Sequence, residues 1–363
     1  MLQIARKIGV STATVSMALR DKGRMSEQTR LKIKATAKAL DYQAHPVISQ
    51  ACSLARRSGA RNYRETLALI TEFRMEEWGY YQRALHEGAT ERAHTLGYKL
   101  EPFLVSGKRS EQRRLSGVLT ARGIRGVIVS PRLVETHPRL SLHWENFAAV
   151  EVGRTLWSPR NLHHVATADY HKILEALHLL KRVGYKRIGM AVEPAQNHHQ
   201  RGIFTAVYLM HQSKAPASKR IPPLLSFGPW KEATFRRWLD RYQPDVLYIH
   251  HNTEIGPTGK AGHGPWLNNM KLRVPKDISL FCANVQRSDY SGLRRDYVGM
   301  GQSAVEMVSL LLGNNSLGLV GNPRSWQVDE IWQPGATLRY PINDFISPDG
   351  FLIGHSELIR SSS

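Results

Sequence analysis

Ser11, Thr12, Thr14 and Ser16 set four side-chain hydroxyls within six residues, with Ala13 and Met17 among them and Arg20 one turn beyond. Hydroxyls and backbone amides at the start of a helix bind phosphate oxygens, while outward side chains on its first turns can reach the donor and acceptor edges of bases. The chemistry on offer is non-covalent reading of a nucleic-acid duplex. A second set lies far along the chain: the rings of Trp78, Tyr80, Tyr81, Trp157 and Trp230, with His199, Arg201 and Asn284. Flat rings lie well against the apolar faces of sugars, and guanidinium and amide groups bond hydroxyls. The histidine pairs 163–164, 198–199 and 250–251 could suggest a metal, but adjacent side chains on a strand point to opposite faces and no third ligand follows at suitable spacing. There is no Gly-x-Ser-x-Gly, no phosphate loop and no paired carboxylates that could be placed at a cleft, so neither catalysis nor a cofactor is expected.

The hydroxyl-rich stretch needs a helix to present it and another to hold that helix. Ile4, Ala5 and Ile8 fall at helical spacing and give a first helix an apolar face, with Arg6 and Lys7 turned outward. Gly9 supplies the turn. Ser11 stands at the N-cap of a second helix whose inward stripe is Val15, Ala18 and Leu19, leaving Thr12, Ala13, Ser16, Met17 and Arg20 outward. A third helix is expected from Ser26 to Leu40, with Leu31, Ile33, Ala37 and Leu40 packing back on the pair. This is the build of a helix-turn-helix reader, whose second helix enters the major groove. Charge agrees: residues 1–63 hold twelve Lys and Arg against three Asp and Glu, a net +9. Such a density over so short a stretch marks a phosphate-binding surface.

Three motifs carry a family resemblance. The run Ile-Ala-x-x-x-Gly-Val-Ser-x-x-Thr-Val-Ser from Ile4 to Ser16, Met-Ser-Glu-x-Thr-Arg at 25–30 and Leu-Asp-Tyr at 40–42 resemble the DNA-binding headpiece of the lac repressor (LacI/GalR) family. The resemblance runs on to about residue 340. It implies a dimeric bacterial transcription regulator, a repressor of a double-stranded DNA operator, with a hinge helix and a two-lobed effector domain related to periplasmic sugar-binding proteins. The fold expected is therefore a small all-α helix-turn-helix headpiece plus an α/β two-lobed periplasmic-binding-protein-like domain with parallel sheets. Domains are expected at 1–44 for the headpiece, 45–63 for the hinge helix and linker, 64–340 for the effector-binding and dimerisation domain and 341–363 for a C-terminal tail.

In the hinge, Pro46 suits the first position of a helix with Val47, Ile48, Ala51 and Leu54 on one side. Family members wedge a leucine into the minor groove here. Ala51 occupies that position, so either Leu54 one turn later is the wedge or the DNA is bent less; a plain basic linker of Arg56, Arg57 and Arg61 is an equal alternative. The chain opens Met1-Leu2-Gln3, where family headpieces carry further residues before the first helix, so that helix is expected to lack a side-chain cap.

From Thr66 strands and helices alternate at the spacing of parallel sheets with helices on both faces. Helices are expected at 80–96, 110–122, 170–183, 202–212, 231–242 and 301–312, and strands at 67–71, 99–105, 126–130, 148–152, 187–192, 224–227, 245–250 and 278–283. Ligands in such sheets sit beyond the carboxyl ends of the strands. The family's effector-clamping arginine falls on His199, with Arg201 close by, and its effector-binding aspartate on Asn284. Both departures weaken the bidentate grip on a sugar. The effector expected is still a small molecule, a carbohydrate, in the cleft. A receptor module with vestigial DNA binding is the second reading, and no enzyme is expected.

The whole chain, 363 residues with 50 Lys and Arg against 30 Asp and Glu, has net charge +20, which suits a nucleic-acid partner. Its two cysteines, Cys52 and Cys282, support neither a disulfide framework nor a zinc site. No apolar run approaches the ~18 residues of a membrane span, and no signal peptide precedes the first helix. A cytoplasmic, nucleoid-associated protein is expected.

Overall fold

The computed structural model describes residues 2–19, 25–40, 65–133, 138–224, 231–250, 255 and 264–353. They fall in two compact units that divide between Tyr63 and Arg64.

The first unit contains α1 (Leu2–Ile8), α2 (Thr12–Ala18) and α3 (Glu27–Ala39) around Ile4, Ala5, Val15, Ala18, Ile33 and Ala37. Gly9 turns the chain between α1 and α2 at φ +75°, the left-handed region that L side chains avoid. Two helices are capped by the same device. Ser11 Oγ accepts from the Thr14 N–H at 3.1 Å, and Ser26 Oγ from the Thr29 N–H at 3.2 Å, each satisfying an amide the helix leaves open. The expected packing of α3 is corrected at two positions: Leu31 is 63% exposed and Leu40 37%. Ile33 and Ala37, four residues apart, fill the narrow contact face, and Leu31 points roughly opposite to Ile33 on the helix.

The second unit has two lobes. In the first, β1 (Thr66–Thr71), β2 (Lys99–Leu104), β3 (Gly126–Val129), β4 (Ala148–Val152), β5 (His163–Thr167) and β10 (Ser325–Val328) form a wholly parallel sheet in the order β10-β5-β4-β3-β1-β2. Successive residues of β1 feed opposite cores, Leu67 and Leu69 on one side and Ala68 and Ile70 on the other, because both faces are covered by helices. One cover is the pair α4 (Tyr80–Thr95) and α11 (Tyr297–Gly313); they touch so closely that a Cβ on Gly301 would collide with the Leu85 carbonyl oxygen. The other includes α5 (Arg109–Ala121).

The second lobe is a five-stranded sheet in the order β11-β9-β8-β7-β6, from β6 (Ile188–Ala191), β7 (Val246–Ile249), β8 (Ser279–Cys282), β9 (Gly292–Arg294) and β11 (Ile331–Gln333). Here the expectation of parallel sheets is corrected at the edge, since β11 runs antiparallel to β9. Its helices include α6 (Asp169–Arg182), α7 (Pro194–His199), α8 (Ile203–Ser213), α9 (Glu232–Tyr242) and α10 (Pro265–Asn269). The expected tail from 341 is also corrected: Ile342 is 1% exposed, and Phe345, Ile346 and Leu352 pack on this lobe's core.

Three segments carry the chain between lobes: Ala168 between β5 and α6, Arg295–Asp296 between β9 and α11, and Asp329–Glu330 between β10 and β11.

Candidate nucleic-acid interface and interlobe cleft

On the headpiece, Ser11, Thr12 and Met17 are exposed, and Thr14 is half-buried. Ser11 Oγ and Thr14 Oγ1 lie 2.8 Å apart, so both hydroxyls are engaged in the cap. That leaves Thr12 and Met17 as the outward side chains of α2 free of such a role. Arg6 and Lys7, in the last turn of α1, are exposed cations beside the turn. Of the other candidates, the side chains of Ala13 and Ser16, and Arg20, Ala51 and Leu54 altogether, lie outside the described residues.

In the second unit the carboxyl ends of the two sheets' strands lead into loops that meet. Glu151, at the end of β4, is buried and accepts the Leu156 N–H at 2.6 Å; burial pushes its carboxyl up to about 7, against the pull of that bond and of Arg201 and Arg154. The Leu156 carbonyl in turn accepts from Arg201 Nη2 of the other lobe at 2.7 Å. Trp157 stacks on His198 with ring centroids 5.4 Å apart and planes 12° from parallel. Two guanidinium groups lie near the same indole, Arg160 at 5.5 Å and Arg201 at 5.8 Å. His164, paired with Glu151 across β4 and β5, is buried, and its Nε2 has no hydrogen-bond partner. Burial, then Arg154 nearby, hold its pKa below the usual imidazole range.

A second cluster joins Asn284, beyond the end of β8, to the first lobe. The Tyr297 hydroxyl donates to Asn284 Oδ1 at 3.3 Å, and the Tyr297 ring meets Tyr80 edge-on at 6.1 Å and Tyr81 at 5.9 Å. Tyr80, Tyr81 and Asn284 are therefore brought together, through a tyrosine the sequence pattern did not single out. His199 is buried at the end of α7, next to the stacked His198. Trp78 is placed elsewhere. It is 5% exposed in the core under α4, and its Nε1 donates to the Phe73 carbonyl at 3.0 Å, so it does not offer its ring to a ligand. Trp230 lies outside the described residues. Trp157 presents less than a free stacking platform because His198 covers one of its faces.

Arg154, Arg160, Glu151 and Tyr297 were missed in sequence, and His198 was weighed only as half of a metal-binding pair. Gly153-Arg154 after a strand is a weak turn signal, and the others carry none. A groove of about 290 Å³ lined by Leu239, Pro244, Met270 and Asp277 lies near the amino-terminal ends of β7 and β8 and contains no candidate residue. Among the described residues no three His, Cys, Asp or Glu side chains are grouped to hold a metal ion, and no helix is long and apolar enough to cross a membrane.

Residues 1–45 match the family model described as bacterial regulatory proteins, lacI family. Over its length the chain is 23% identical to the HTH-type transcriptional regulator GalR of Salmonella typhimurium, covering 94% of this chain and 95% of that protein. Among solved structures, the lac repressor dimer bound to operator and the anti-inducer ONPF is similar at TM-score 0.53 and 15% identity, with 92% of this chain and 98% of that one covered. A complex of the transcriptional regulator CelR with cellobiose is similar at TM-score 0.51 and 16% identity, over 92% and 98%. The regulator CCPA of Weissella paramesenteroides with bound glucose gives TM-score 0.52 at 12% identity, over 76% and 98%.

Proposed function

We propose, from the match of residues 1–45 to the lacI family model and the 23% identity to GalR, that this chain is a regulator of the lacI type, which binds a palindromic operator as a homodimer and represses transcription until a small molecule, a carbohydrate, closes the interlobe cleft. The observation that carries this is the capped, exposed α2, with Thr12 and Met17 outward on a headpiece whose sequence matches the family model. Thr12, Ala13 and Met17 read bases, Ser16 and Arg20 hold phosphates beside the helix start that Ser11 and Thr14 cap, and the 45–63 segment with Ala51 or Leu54 meets the minor groove. The two lobes of the effector domain turn about their three crossings, and the ligand acts because it binds one lobe arrangement better than the other. Tyr80, Tyr81, Asn284, His199 and Arg201 form the ligand's surroundings. The protein works in the cytoplasm, on the nucleoid.

Cross-linking the protein to the chromosome in living cells and sequencing the bound DNA tests this. Sites sharing one inverted repeat support the regulator. Binding spread without a shared motif would favour the second reading, a carbohydrate receptor with vestigial DNA binding, which the alanine at 51 in place of a wedging leucine motivates.

A further inference from the structure

The two loops that meet across the cleft each hold an arginine in left-handed backbone. Arg154 follows β4 at φ 53°, and Arg201 follows α7 at φ 54°. Side-chain-bearing residues rarely occupy this region, and such strain collects where a site needs a group held in one direction. The arrangement also opposes like charges. Arg201 reaches over to the Leu156 carbonyl, two residues from Arg154, and shares the Trp157 ring with Arg160. None of the three arginines forms an ion pair among the described residues. The carboxyl that acts on this pair, Glu151, is buried, accepts the Leu156 N–H and offsets the charge only in part, since burial pushes its pKa up to about 7. A strained, cationic and uncompensated meeting point of two lobes is a poor seat for a neutral hexose.

Resting on the reading of the cleft as the effector site, we infer that the effector is an anionic carbohydrate, a phosphate ester or carboxylate of a sugar, gripped between Arg154 of one lobe and Arg201 of the other. One oxyanion can meet both guanidinium groups only when the loops are together, so its charge-assisted hydrogen bonds favour the closed arrangement and relieve the repulsion there. His164 adds a buried nitrogen without a partner beside the pair. His199 and Asn284, where the family resemblance places an arginine and an aspartate, fit a ligand recognised by its charge more than by a clamp on its hydroxyls.

Thermal unfolding of the full-length protein with inorganic phosphate, glucose, glucose 6-phosphate and glucuronate provides the test, on wild type, Arg154→Gln, Arg201→Gln and a cleft-filling His199→Trp. Arg154 is exposed and makes no hydrogen bond that its loss would break. The inference predicts that phosphate stabilises the wild type with an apparent affinity about tenfold tighter than in either arginine variant. It also predicts that Arg154→Gln without any anion unfolds at a higher temperature than the wild type, because the repulsion is gone. Glucose 6-phosphate or glucuronate should stabilise more than glucose. Equal stabilisation of wild type and both arginine variants by phosphate would mean an adventitious ion only and would overturn the inference. A glucose effect lost in His199→Trp but kept in Arg154→Gln would overturn the anionic class and leave the cleft as the effector site. Effects that survive all three substitutions would overturn both.

Discussion

The Arg295 guanidinium lies 3.0 Å from a carboxylate oxygen of Glu330, and the two residues stand in different segments crossing between the lobes. The third crossing joins them through Asp169, at the start of α6 and also 3.0 Å from Arg295. One cation thus ties together the three segments that cross between the lobes. All three are withdrawn from water; burial raises the Glu330 carboxyl's pKa against the pull of Arg295, while the two carboxyls keep Arg295 charged. Breaking such a group leaves buried charge without a partner.

Arg295→Met should therefore destabilise the two-lobed unit by about 3–5 kcal/mol. The double substitution Arg295→Met with Glu330→Gln should cost less than the single one, since it leaves one buried carboxylate fewer. Urea unfolding of the three proteins measures both. Equal stability of wild type and Arg295→Met would show that the tie contributes nothing.

Glu151 makes stability depend on pH in the cleft. Its pKa is raised in the folded protein from an ordinary 4.5 to about 7, so the native state keeps a proton that the unfolded chain has lost. Stability is then lost as pH rises through that window. Relative to wild type, Glu151→Gln should gain about 3 kcal/mol on going from about pH 4 to about pH 8, because glutamine keeps the acceptor for the Leu156 N–H and never ionises. A stability difference that stays flat with pH would rule this out.

The headpiece depends on its turn and its cap. A Cβ on Gly9 would meet no atom within 4 Å, so Gly9→Ala is opposed by backbone conformation alone and should cost about 1–2 kcal/mol. Ser11→Ala should cost about 1 kcal/mol through the lost bond to the Thr14 N–H. Hydrogen exchange of the α1 and α2 amides in the intact protein reads both, and exchange as slow as wild type in Gly9→Ala would contradict the left-handed turn.

The headpiece was legible because its structure is local. Ser11 and Ser26 lie three residues from the amides they cap, and Ile33 and Ala37 one turn apart. Seven of the eleven described strands were legible, most as apolar runs of four to six residues; β9, β10 and β11 were not, and neither was β5. It begins with His163 and His164, whose burial is decided by neighbours in the sheet. Helix α11 starts at Tyr297 rather than 301 because Asp296 caps it, its side chain accepting the Gly299 N–H, where two glycines in five residues argue against a helix. The cleft was the least legible part. The bond from Arg201 to the Leu156 carbonyl spans 45 residues and two lobes, and no local pattern records it.

Base reading by α2 is the central claim. Selection of bound duplexes from a random library, with the full-length protein and its Met17→Arg variant at two salt concentrations, tests it most directly. Wild type should recover an inverted repeat with half-sites about one helical turn apart, and arginine at 17 should bring guanine to one position of each half-site while the repeat persists. Salt-sensitive binding with no recovered motif, or the same motif from both proteins, would contradict it.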